Sequence, residues 1–133
     1  MRRDGRIVFI LDDDLAVRES LKFALDLEGL TVEACASASE LLSHPALSQG
    51  ACLVFDPNLP SMNDGFAMLD RLAERKLKLP VIVITSRATS GLRRRAQEFG
   101  IARVLEKPLL DRTLAELIKH TLVEPGAAGR PAS

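Results

Sequence analysis

Five residues of this 133-residue chain stand where short apolar runs end, and together they have the chemistry of phosphoryl transfer. Asp12 and Asp13 follow RIVFIL (Arg6 to Leu11), and Asp56 follows Ala51-Cys52-Leu53-Val54-Phe55. Thr85 follows Pro80-Val81-Ile82-Val83-Ile84, and Lys107 follows the run from Ile101 to Glu106. Carboxylates crowded together repel by about 4 kcal/mol per pair at 4 Å and an effective dielectric near 20. A divalent cation relieves that repulsion, and Mg²⁺ suits a site of one or two carboxylates completed by waters and phosphate oxygens. Asp56 could then act as a nucleophile toward phosphorus, forming an aspartyl phosphate. Positioning and charge neutralisation are most of what this chemistry asks, and Mg²⁺, the Lys107 ammonium and the Thr85 hydroxyl could supply them.

The elements that must bring these residues together are read from periodicity. An apolar run bounded by a breaker, such as Ala51 to Phe55 before Pro57, reads as a strand buried on both faces of a parallel sheet. Between such runs the period changes. Val17, Leu21, Ala24 and Leu25 share one helix face in a segment from Leu15 to Glu28, closed by Gly29. Leu30 to Ala36 reads as a second strand, and Ser37-Ala38-Ser39-Glu40 as a capping box opening a short helix through about Ser48. Phe66, Leu69, Leu72 and Ala73 mark a third helix ending in Arg75-Lys76. Leu92, Ala96 and Phe99 mark a fourth, closed by Gly100. The last helix, from about Asp111 to Val123, carries Leu114, Leu117, Ile118 and Leu122. Five strand–helix pairs in strict alternation predict an α/β fold, a doubly wound five-stranded parallel sheet with helices on both faces. In such sheets ligands sit at the carboxyl ends of the strands, where all five candidate residues would be delivered. The domain spans 1–123, and 124–133 (EPGAAGRPAS) reads as a flexible tail or the start of a linker.

Each residue also has a plainer reading. Asp14 fits the N-cap of the first helix, Thr85 a cap or turn, and Lys107 a solvated loop lysine. Arg93-Arg94-Arg95 reads as a solvated helix face or a partner surface. His44 and His120 lie away from the carboxyl edge, so neither is a candidate base or metal ligand, and His120 should be exposed. Met62 and Met68 read as loop and core fillers.

Composition narrows the classes. Eighteen basic residues balance eighteen acidic ones, and Trp and Tyr are absent, so no field or stacking platform favours nucleic acid. No apolar run approaches the ~20 residues of a membrane span. The charged Met1 to Gly5 lead into a strand without a signal-peptide h-region, which reads as cytoplasmic. Cys35 and Cys52 sit in strand-like runs and read as reduced core thiols.

The stretch from Arg6 to Val123 resembles a response-regulator receiver domain of bacterial two-component signalling. FILDDD, LVFD, NLP, VIVITS and LEKPL carry the resemblance, specific in combination though not singly. It implies a (βα)5 flavodoxin-like receiver fold, with Asp56 the phosphoacceptor and Asp12 and Asp13 holding Mg²⁺ with it. It also implies that Asn58 offers a backbone carbonyl to the metal, that Thr85 and Lys107 contact the phosphoryl group, and that the Lys107–Pro108 peptide is cis. The partners implied are a sensor histidine kinase or phosphotransfer protein, with a homodimer or downstream partner using helix 4, strand 5 and helix 5. Such a domain promotes its own phosphorylation and dephosphorylation but is not an enzyme with a metabolite substrate. A faint likeness of ILDDDLA to aspartate-dependent phosphatases lacks that family's cap and later acidic motif.

Three features depart from the receiver pattern. Gly65 comes nine residues after Asp56 instead of eight, which should bulge the loop between them. Pro57 has no N–H to offer a phosphoryl group. Val104 stands where an aromatic ring usually precedes the lysine by three residues, so a threonine-plus-aromatic switch cannot operate in its usual form. The rival expectation is therefore a phosphate-uncoupled interaction module on the same fold.

Overall fold

The computed structural model describes residues 6–57, 65–77, 79–101, 103–107 and 112–123. Five parallel strands alternate with five helices: β1 (Ile7–Leu11), α1 (Leu15–Leu27), β2 (Val32–Cys35), α2 (Ala38–Leu42), β3 (Gly50–Phe55), α3 (Gly65–Glu74), β4 (Val81–Thr85), α4 (Ser90–Glu98), β5 (Arg103–Glu106) and α5 (Thr113–Val123). The strand order is β2-β1-β3-β4-β5, so the chain reverses direction beside β1 and β3. That reversal is the switch point at which doubly wound sheets place their ligands. β1 and β3 are the adjacent strands that carry Asp12 and Asp56.

Side chains alternate across the sheet and build two cores. Ile7, Phe9, Leu11, Leu53, Phe55 and Val83 face Leu41 of α2, Phe66, Met68 and Leu72 of α3, and Leu92 and Ala96 of α4. Val8, Ile10, Cys52, Val54, Ile82 and Ile84 face Leu25 of α1 and Leu114, Ala115 and Ile118 of α5. Both thiols are free and buried, as their placement in strands suggested.

Local signals account for most boundaries. The Asp14 carboxylate accepts from the Val17 N–H at 3.2 Å and caps α1. Ser37 accepts from the Glu40 N–H, while the Glu40 carboxylate reaches back to the N–H of Ala36, one residue before the usual box partner. Gly29 and Gly100, at φ +87° and +78°, take the left-handed turns that end α1 and α4.

Three expectations need correction. α2 ends at Leu42, well short of Ser48, because Pro45 lacks an N–H and disfavours helical geometry at His44. A separate 3₁₀ turn, Leu47–Gln49, leads into β3. β2 is shorter at both ends than Leu30 to Ala36. Ala24 and Ala73 are exposed, and the true α1 stripe is Val17, Leu21 and Leu25. Phe23 and Leu27 face outward instead, 66% and 71% exposed. Met68 is a core residue and His120 is exposed, as expected. Asn58, Met62, Pro108, Asp111 and the tail 124–133 lie outside the described residues.

Candidate functional site

Asp12 and Asp56 are delivered side by side because β1 and β3 pair in register, Leu11 beside Phe55, and each strand ends there with its aspartate as the next residue. Both carboxylates are buried, at 0% and 3% exposure. Buried acids need partners, and Lys107 supplies one to both. Its Nζ donates to Asp12 Oδ2 at 2.9 Å and to Asp56 Oδ2 at 3.0 Å. The lysine is carried there by β5, and its backbone N–H donates to the Thr85 carbonyl at 2.7 Å, tying the ends of β4 and β5 together. Burial, the largest single influence, pushes the ammonium down. Hydrogen bonds to Asp12 and Asp56, with their negative charge, outweigh it and hold Lys107 above its ordinary range.

The Asp12 side is braced twice. Its Oδ1 accepts from the Asp14 N–H at 2.9 Å, and its carbonyl accepts from Arg18 Nη1 at 2.9 Å. Arg18 has no sequence signal beyond its place one turn into α1. Thr85 is fully buried at the end of β4, and its Oγ1 accepts from the Arg87 N–H at 3.2 Å. Asp13 is half-buried beside Asp12. A cleft of about 330 Å³, walled by Val17, Leu21 and Ile84, opens onto Lys107 and Asp14.

The sequence-picked residues thus divide. Asp12, Asp56 and Lys107 converge in one hydrogen-bonded cluster, with Thr85 and Asp13 at the same sheet edge. Among the described residues no group of three His, Cys, Asp or Glu side chains already forms a metal-ready cluster. The donor set nonetheless fits Mg²⁺. Two buried carboxylates converge on the Lys107 ammonium, and the donors they offer are hard oxygens.

At the mouth of the site, a Cβ on Gly65 would lie 2.7 Å from Pro57 Cα. The chain returns after the loop to touch the residue next to Asp56, so only glycine fits there whatever the loop length. A contact that the sequence did not disclose runs outward from the same place. The Phe55 ring meets Phe66 edge-on at 6.1 Å, Phe66 stacks on Phe99 at 5.3 Å, and the Arg95 guanidinium sits 4.8 Å from the Phe66 ring centre.

Two acids and a lysine gathered at the switch point of a five-stranded parallel sheet define an α/β fold with a carboxylate–ammonium site at its carboxyl edge. The chain belongs to the response regulator receiver domain family, which matches residues 8–119. As such it is a phosphorylation-controlled element of two-component signalling, and the uncoupled alternative is not favoured. It is similar to the transcriptional regulatory protein FixJ of Bradyrhizobium diazoefficiens, 33% identical over 123 residues, covering 90% of this chain and 59% of that protein. The crystal structure of FixJ-N superposes with a TM-score of 0.77 at 32% identity, covering 92% of this chain and 96% of that one. The CheY-like receiver domain protein from Methanospirillum hungatei gives a TM-score of 0.77 at 29% identity, covering 93% and 98% of the two chains. The chain spans little more than half the length of the FixJ relatives it matches.

Proposed function

We propose that Asp56 accepts a phosphoryl group from a phosphohistidine on a sensor histidine kinase or phosphotransfer protein. The observation that supports this best is the single Lys107 ammonium held between two buried carboxylates on adjacent strands. An Asp56 oxygen attacks phosphorus, the new O–P bond forms as the N–P bond of the donor breaks, and the departing imidazole takes up a proton. Lys107 neutralises charge beside the attacking oxygen and then pairs with the transferred group. The Thr85 hydroxyl donates to a phosphoryl oxygen. Asp12, Asp13 and Asp56 would hold Mg²⁺, with the Asn58 carbonyl as the further ligand the resemblance implies. The metal, when bound, supplies positive charge to the phosphoryl oxygens. Pro57 offers no N–H there, so the side chains carry more of the stabilisation.

The domain promotes its own phosphorylation and dephosphorylation and turns over no metabolite. Replacing the singly charged carboxylate of Asp56 by an acyl phosphate of roughly −1.5 to −2 adds at most about one negative charge there, and that change biases the loop after β4 and α4. Output then passes through the surface of α4, β5 and α5, where Arg93 and Arg94 are exposed, to a second copy or a downstream partner. Among the described residues no helix is long and apolar enough to cross a membrane, in keeping with a cytoplasmic site of action. Residues 1–123 make up the receiver, followed by a tail or linker.

Incubation with Mg²⁺ and acetyl phosphate, followed by intact mass measurement, tests the assignment. One phosphoryl group should be gained by the wild type and none by Asp56→Asn. Lys107→Ala should slow the gain by on the order of 10²-fold. No gain in the wild type, or a gain that survives Asp56→Asn, would refute Asp56 as the acceptor.

A further inference from the structure

A groove of about 470 Å³ separates α2 from α3 and shares no residue with the cluster around Asp56. Its apolar walls are Ala38 and Leu42 on one helix and Ala67 and Met68 on the other. Alanine at the upper end of each wall, with Ser39 and Ser43 at the rim, leaves room that larger side chains would fill. Arg71 and Arg75 follow Ala67 one and two turns along α3 and line the same groove. Arg75 donates to the carbonyl of Leu42, so its guanidinium crosses between the helices and closes one end.

The charge in this groove is one-sided. Glu40, Asp70 and Glu74 lie on the same two helices but outside its lining. Neither Arg71 nor Arg75 has a carboxylate partner among the described residues. Like charges one turn apart on a helix repel, and among the described residues no carboxylate pairs with either arginine to offset that repulsion. An apolar slot that ends in two arginines lacking counter-ions is complementary to an apolar side chain followed by a carboxylate. From Ala67 to Arg75 the groove runs about 12 Å along α3, at 1.5 Å per residue, or two turns of a docked helix.

We propose that the α2–α3 groove docks an acidic amphipathic helix of a partner protein. An aliphatic side chain of that helix fills the slot between Leu42 and Met68, and a carboxylate one turn further on pairs with Arg71 and Arg75. This is helix-in-groove recognition, with apolar area supplying affinity and the arginines fixing direction. The site is independent of phosphoryl transfer at Asp56.

The test uses the whole 133-residue protein and a fluorescein-labelled helical peptide of about 14 residues, four turns, with Leu and Glu along one face. A second peptide carries Lys in place of each Glu. Polarisation titrations should show the Glu peptide binding at least about tenfold more tightly than the Lys peptide. Arg71→Glu should weaken the Glu peptide by about tenfold or more. Ala67→Phe, which fills the slot and leaves both arginines, should do the same, while Arg93→Glu and Asp56→Asn should change nothing. Arg71 and Ala67 are both exposed, and circular dichroism of each variant reports its fold. Equal binding of the two peptides, indifference to Arg71→Glu, or displacement of the Glu peptide by millimolar inorganic phosphate would overturn the proposal. The last of these would mark a small-anion site.

Discussion

The helices on the two sides of the sheet are fixed by different means. On the α1/α5 side the sheet presents aliphatic residues and Cys52 to Leu25, Leu114 and Ile118. The seam outside is pinned by charge: Glu28, the C-cap of α1, takes two hydrogen bonds from Arg112 at 3.0 and 3.1 Å and one from Lys119 at 2.7 Å. On the α2–α4 side the sheet presents Phe9 and Phe55, and aromatic contact continues through Phe66 to Phe99 and Arg95. Aromatic pairs contribute about 0.5–1.5 kcal/mol beyond their buried area and demand particular ring geometry. Aliphatic packing is more forgiving. The shape-demanding layer is therefore the one joined through Phe55 to the peptide of Asp56, and it ends on α4. The aliphatic layer is a support whose outer edge is adjusted by ion pairs.

The sharpest way to break this contrast is to remove one large side chain from each layer. Phe66→Ala should cost about 3–5 kcal/mol and Ile118→Ala about 2–5 kcal/mol in urea unfolding. The layers should differ in where the damage spreads. Phe66→Ala removes the ring that Phe99 stacks on and that Arg95 covers, so the amides of α4 should exchange faster than those of α5. Ile118→Ala should leave α4 protected. Similar exchange in α4 for both variants would show that the sheet couples the layers and that the aromatic contact is not distinctive.

Gly65→Ala probes the same layer at its junction with the site. The added Cβ meets Pro57 Cα at 2.7 Å, and backbone cannot move aside as a side chain can. Overpacking of this kind should cost about 1–3 kcal/mol. Because the displaced residue adjoins Asp56, phosphorylation by acetyl phosphate should slow as well. A variant as stable and as quickly phosphorylated as the wild type would show that α3 can slide away from Pro57 freely.

How far each layer could be read in advance follows from the range of its interactions. Strand ends are local events, so Asp12, Asp56, Thr85 and Lys107 could be assigned to one sheet edge from alternation alone. Their hydrogen bonds could not, since Lys107 lies 95 residues from Asp12. The Arg112 and Lys119 contacts with Glu28 span 84 and 91 residues and leave no local trace. The aromatic contact was hidden differently. Phe55, Phe66 and Phe99 each read as ordinary core positions, and only the sheet order β1-β3-β4 brings α3 and α4 onto the same face. The early end of α2 was misread although its signal is local: Pro45 stops the helix, and the capping box that starts it does not carry it on to Ser48.

Each layer also holds one thiol, which gives a comparison by pH. Burial raises Cys52 from 9.0 to about 12. Burial, followed by the charges of Glu40 and Glu33, raises Cys35 to about 11. In the unfolded chain both ionise near 9, while in the folded chain they stay protonated. Above pH 9 the unfolded state therefore holds fewer protons, and stability falls as pH rises. The slope for Cys52 approaches about 1.4 kcal/mol per pH unit. Lys107, also raised, adds a loss of the same sign above its ordinary 10.5. Cys52→Ala should flatten the alkaline limb of a stability–pH curve up to about pH 12, and Cys35→Ala only to about 11. Equal flattening by the two variants would mean that the aliphatic layer shields its thiol no better than the aromatic one.

The smallest effect belongs to the ion-pair seam. Hydrogen bonds from Lys119 and then Arg112 hold the Glu28 carboxyl below its ordinary 4.5. A depressed carboxyl stabilises the fold above its unfolded value and loses that contribution as pH falls through the folded one. Glu28→Gln should thus lower the melting temperature slightly at neutral pH in low salt. The difference should shrink in high salt, because exposed pairs are screened, and again in acid, where the wild type loses the same charge. A large drop that persists in high salt would assign Glu28 a packing role, and α5 would then be held by shape as firmly as α3 and α4 are.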